Sequence, residues 1–242
     1  HGIVASVGNE RPGLSPADRQ LVWQLFAAVG AGAAVGLVVG GIGGRIALLL
    51  LRLGSTDTLH GVPTDDGFEI GRISTSTGFL LMVTAGLGAA AGVAYLVARS
   101  TMPRRGRALA FGIAAALVTG ADTVKTDGID FTLLDPKPFA IASFVLLPGI
   151  AALAIGLLVD RLLEVEPFSR RRLTVALGLA WVPLLAGAVI FAGVTAAALA
   201  LRRLPVLSSV ALRAGRIVVP LVLVAASIRA GVELWRDTAE IL

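Results

Sequence analysis

The chain has 242 residues, of which 56% are hydrophobic and only 15% charged, with a mean hydropathy of +0.86. Those proportions exclude a soluble enzyme carrying one anchor, a disordered chain and a secreted disulfide scaffold, and they predict a polytopic membrane protein. The lack of cysteine removes thiol catalysis, Cys-ligated zinc and iron–sulfur clusters, and the net charge of +5 is an arginine effect, since Lys125 and Lys137 are the only lysines. The arginines flank apolar runs and have few aromatics among them, so they point to membrane orientation rather than to nucleic acid.

A bilayer core of about 30 Å takes about 20 helical residues, and against that length six segments qualify as spans within one all-α transmembrane domain, 15–242, preceded by a flexible segment, 1–14. The first span, Leu21 to Leu53, follows Ser15, Pro16 and Asp18, a sequence that sets an N-cap, a first-turn proline and an early acid. At about 1.5 Å per residue it reaches about 50 Å, so it must tilt, bend at its glycines or project beyond the bilayer. Its Gly32, Gly36, Gly40 and Gly44 recur at four-residue spacing, and Gly88 and Gly92 repeat the pattern in the second span, Phe79 to Ala98. Small residues at that interval let helix backbones approach in lipid, either within the chain or between two copies of it. A nucleotide loop is excluded there, since no strand precedes the glycines and no aqueous phosphate site adjoins them.

The third span, Ala108 to Ala121, is short enough for a re-entrant segment to compete with a crossing, and a crossing is the expectation carried forward. The fourth, Phe139 to Val159, contains Pro148; the fifth runs from Leu173 to Leu201 and the sixth lies within 204–235. With both termini in the cytoplasm, Arg99, Arg104, Arg105 and Arg107 fall inside, as do Arg161, Arg170, Arg171 and Arg172. Arg202, Arg203, Arg213 and Arg216 are discordant with that scheme. They read as an amphipathic entry to span six, in which Arg213 and Arg216 snorkel, contact lipid or bind an anion.

The loops after spans one and three share a pattern: Thr64-Asp65-Asp66-Gly67-Phe68-Glu69-Ile70 and Thr126-Asp127-Gly128-Ile129-Asp130-Phe131. Asp-Gly suits a tight turn and the apolar alternation is strand-like, so two short β-segments capping the outer face, single or paired as hairpins, are expected. Asp65, Asp66, Glu69, Asp127 and Asp130 are the candidate metal ligands, being hard oxygen donors, although solvated acidic loops give the same sequence; His60 reads as a polar loop residue. Arg229 with Glu233, and Arg236 with Glu240, have the spacing of helix-surface pairs. No HExxH, GxSxG or Ser/His/Asp constellation occurs, so neither a catalytic residue nor a cofactor site is expected.

The Arg-over-Lys bias, the Ala/Gly-rich spans, the stretch Thr64 to Arg72 and the stretch Asp127 to Pro136 resemble multi-span membrane proteins of high-GC Gram-positive bacteria. The resemblance implies a bacterial cytoplasmic membrane and carries no functional residues. The expected function is non-enzymatic, that of a membrane-embedded interaction or accessory subunit or a self-associating bundle, with the bilayer and a membrane protein or second copy as partners and no nucleic acid. The alternative is a channel or transporter for a small solute or cation with an acidic outer mouth, which requires a polar path through the spans.

Overall fold

The computed structural model describes residues 15–54, 75–126, 136–164, 193 and 205–242; of residues 52, 75–77 and 205–217 it describes the backbone. The first helix runs in three stretches, α1 (Pro16–Val35), a π-helical segment (Gly36–Gly43) and α2 (Gly44–Gly54). Then come α3 (Thr75–Ala98), α4 (Arg107–Thr123), α5 (Lys137–Glu164) and α6 (Pro205–Ile241). Helix α1 starts where the sequence sets its cap: Ser15 Oγ accepts from the Asp18 amide at 3.1 Å and donates to Asp18 Oδ2 at 2.7 Å.

The packing is that of a bundle in lipid. The buried core is dominated by alanine and glycine, including Ala27, Ala28, Ala31, Ala85, Ala89, Ala114 and Ala152, while Val38, Leu50, Met82, Leu87, Leu146 and Leu221 point outward. A water-soluble protein would bury those large side chains. Helix α1 packs against α3 and α5, and α4 lies between α5 and α6.

The α1–α3 crossing needs its glycines. A Cβ on Gly32 would overlap the Gly88 carbonyl, one on Gly36 the Thr84 carbonyl, and one on Gly92 the Ala28 carbonyl. Further along, Thr84 seats against Gly40, whose added Cβ would lie 3.3 Å from Thr84 Cβ, and Gly44 faces open space. The over-long first span is accommodated by the π-helical turns at Gly36–Gly43, where glycine weakens the regular ladder and the widened backbone packs on Leu81 and Thr84.

Four helices are long and apolar enough to cross a membrane among the described residues: Pro16–Leu51, Gly78–Ala98, Lys137–Glu164 and Val218–Ile241. Six spans are therefore not supported. Helix α4, with 17 residues, falls short of that length, and the expected fifth span, Leu173–Leu201, lies outside the described residues. No strand occurs among the described residues, and the expected β-segments at 64–70 and 127–131 lie outside them.

The direction of α6 also departs from expectation. Gly231 faces Leu117, Gly120 faces Leu234, and Leu234 and Ile241 pack on the cluster of Leu51, Val124, Ala140 and Ile141. Residue numbers rise together along the α4–α6 seam, so the two helices run parallel. The cap of α1 belongs to the other end, where Ala27 and Ala28 join Tyr95, Ala108, Val159 and Leu162. Ser15 and Ile241 thus lie at opposite ends of the described bundle. One crossing through Leu173–Leu201 would have turned α6 antiparallel to α4.

Replacing Gly88 with alanine should lower bundle stability by about 1 to 3 kcal/mol, because backbone rather than a yielding side chain occupies the space. Gly86→Ala, which meets open space, serves as the control and should leave the thermal midpoint in mild detergent within error of the parent. Equal midpoints for the two variants would refute the backbone-contact account.

Candidate functional site

The described residues hold two charged constellations, one at an end of the bundle and one in a seam that runs from its middle toward the other end. The first is at the end carrying Ser15, where the α3–α4 turn meets the last turns of α5. Ser100 Oγ and Thr101 Oγ1 donate to the carbonyls of Val97 and Ala98, each at 2.7 Å, and close α3. Gly106, at φ 78°, turns the chain into α4 through the left-handed region that a side chain would resist. This sets Arg107 at the start of α4, facing Asp160 of α5.

Arg107 Nε donates to Asp160 Oδ2 at 2.7 Å, and Tyr95 Oη donates to the same oxygen, also at 2.7 Å. Arg107 Nη2 and Arg99 Nε stand 2.7 and 3.3 Å from Asp160 Oδ1. These last two are charge contacts without aligned hydrogen bonds, since neither Arg99 Nε nor Asp160 Oδ1 has one. Tyr95 is fully buried, with Phe111 edge-on at a centroid distance of 5.2 Å, and Gly156 leaves the room it occupies: a Cβ there would lie 3.1 Å from the Tyr95 ring.

One carboxylate thereby joins three helix ends, with two guanidinium groups around it. The arrangement is that of a clamp, since the carboxylate is taken up by two cations and a phenol. Arg104, Arg105 and Arg161 remain exposed beside it and make this end strongly basic.

The second constellation lies in the seam between α4 and α6. A groove of about 350 Å³ is lined by Thr119 and Asp122 of α4, by Lys125 just beyond it, and by Ala226, Arg229 and Glu233 of α6. Arg229 Nε donates to Glu233 Oε1 at 2.9 Å, as the spacing predicted, with the Arg229 side chain 81% exposed. The expected Arg236–Glu240 pair is replaced by an approach of Arg236 to Asp237 at 3.9 Å. Lys125 Nζ donates to the Ala121 carbonyl at 2.8 Å.

The acids nominated as metal ligands, Asp65, Asp66, Glu69, Asp127 and Asp130, lie outside the described residues, and no group of three metal-ligating side chains occurs among the described ones. Gly32, Gly36, Gly88 and Gly92 meet at the α1–α3 crossing, Gly40 lies against Thr84 and Gly44 does not join them. Arg213 and Arg216 fall in the first part of α6, where only the backbone is described.

Sequence reasoning did not find the clamp. Two signals were available: Tyr95 is the only tyrosine in the chain and precedes Arg99 by one helical turn, and Asp160 interrupts an otherwise apolar run.

Asp160→Asn should cost about 3 kcal/mol of stability, because it leaves Arg107 enclosed without its counter-charge, whereas Tyr95→Phe, which removes one hydrogen bond, should cost about 1 kcal/mol. Thermal unfolding of the two variants in one detergent checks the order; a larger loss for Tyr95→Phe would show that the ring position, not the carboxylate, holds this end together.

Comparison with protein families, with characterised proteins and with solved structures gives no match for this chain.

Proposed function

We propose that the protein is a non-enzymatic, multi-pass component of a bacterial cytoplasmic membrane that works by lateral association, as an interaction or accessory subunit. The observation carrying this reading is the character of the interior. Among the described residues the buried positions are mostly apolar and many are alanine or glycine, and the one buried charged residue, Arg107, is committed to the clamp. A solute path requires polar groups lining a route between the two faces, and the described interior offers none. What the chain presents instead is outward surface: the window of α6 over Val218–Ile241 is only 6% buried, against 56% for the first helix.

The orientation that suits the charges puts the Ser15 end in the cytoplasm and crosses the membrane with α4 as well as the longer helices. Helix α6 has 37 residues, about 55 Å, and Pro205 lies about 39 Å of helix below Gly231, whereas Arg107 lies about 15 Å below Leu117. The start of α6 therefore projects beyond the Arg107 level, on the cytoplasmic side. Arg213 and Arg216 then join Arg99, Arg104, Arg105, Arg107 and Arg161 there, and the discordance noted in the sequence disappears.

Because the chain has no cysteine, single cysteines report sidedness without background. Ser100→Cys should resist a membrane-impermeant maleimide added to intact cells, and Ala239→Cys should react. Protection of both would return the C-terminal end of α6 to the cytoplasm. Extraction in mild detergent followed by native mass measurement should recover the chain with a stoichiometric protein partner, and liposomes containing it should pass small cations no faster than empty ones; cation flux above that baseline would refute the non-conducting reading.

A further inference from the structure

The α4–α6 groove sits at an unusual depth. Gly231 is level with Leu117, and Gly149, in the middle of α5, is level with Ala116. Arg229, two residues before Gly231, therefore stands near the middle of the bundle, and the groove runs from there to the end of α4 at Asp122 and Lys125, a distance of about 10 Å along the helices. An ion pair on an outward face at that depth is costly against hydrocarbon chains, so polar matter must occupy the space beside it. Asp122 and Lys125 have no ion-pair partner among the described residues, which leaves one charge of each sign to recruit a ligand.

The groove thus presents two acids and two bases, balanced in charge, and its residues Val118, Ala226 and Arg229 are exposed at the bundle surface. A single ion fits this poorly, because each sign meets repulsion as well as attraction. A zwitterion fits it well: a phosphate can lie against Arg229 and Lys125 through charge-assisted hydrogen bonds while an ammonium group lies against Glu233 and Asp122. Val118 and Ala226, exposed beside the charges, are apolar surface against which acyl chains can lie. We infer that the α4–α6 groove is a binding site for the headgroup of a zwitterionic phospholipid, drawn from the leaflet in which α4 ends.

The test is native mass spectrometry of the full chain, delipidated and then titrated with phosphatidylethanolamine, phosphatidylglycerol or diacylglycerol. The expected result is one phosphatidylethanolamine per chain, with phosphatidylglycerol about tenfold weaker and diacylglycerol not retained. Asp122→Asn, a change at an exposed helix end, should abolish the preference for phosphatidylethanolamine over phosphatidylglycerol. Arg229→Gln with Lys125→Gln should weaken both phospholipids about tenfold while helicity by circular dichroism stays at the parent level. Equal retention of the two phospholipids by the parent chain would overturn the zwitterion assignment, and retention unchanged in the variants would overturn the site. A chain that takes up no lipid but forms a dimer dissociated by Arg229→Gln would make this face an interface between copies instead.

Discussion

Between Gly32 and Gly88 the backbones of α1 and α3 touch, with no room for a methyl group on either side, and the arrangement of the other helices follows from that approach. Helices in lipid gain little by hiding large apolar side chains from one another, because the acyl chains are equally apolar. Association has to come from close packing of main chain and small side chains over a long contact. The same solution recurs where α4 meets α5: Gly112 accommodates Leu153, Gly149 accommodates Ala116, and Gly156 accommodates Ala108 and Tyr95. Large residues are displaced outward as a consequence, which is why Leu87 and Leu221 are about two-thirds exposed in a well-packed bundle.

Small-residue packing resists sliding poorly, since one alanine row resembles the next. Directional contacts fix the register, and the Asp160 clamp supplies them at the end carrying Ser15 by tying the α3–α4 turn to α5. Its position suits the task. At a helix end Arg99 stays partly exposed, and Arg107, which is buried, is compensated by its contacts with the Asp160 carboxylate. Deeper in the bilayer the same trio would destabilise the bundle it now aligns.

Much of the fold was legible because local signals agreed. The Ser15 cap, the glycine periods and the apolar lengths of α3 and α5 each follow from nearest-neighbour chemistry. The direction of α6 was not legible, since counting apolar runs assigns each one crossing, and that parity was carried through Leu173–Leu201 into α6. The arginines at 202–216, discordant with that parity, agree with the positive-inside rule under the orientation proposed above. The clamp escaped for a different reason. Tyr95, Arg107 and Asp160 lie on three helices, and a charge at a helix end reads as solvated until a tertiary partner is known. Arg229 and Glu233 were legible as a pair because both lie on one helix, but their depth was not, since depth depends on the register against α4.

The two constellations use similar residues to opposite ends. At Asp160 the charges converge on one atom group, the neighbours are packed, and the available lone pairs are directed at the chain's own cations. Such a site rigidifies and has little left to offer a ligand. At the α4–α6 groove the charges are spread along two helices, Arg229 projects outward, and Asp122 and Lys125 do not neutralise one another. The unspent interaction there, at a depth where water is scarce, is what makes recognition of a polar headgroup favourable, because an incoming zwitterion gains partners that neither lipid tails nor the other described residues supply. Stability and recognition are thereby separated along the membrane normal: the clamp holds the helices at one face, and the seam it does not reach is left open at the other.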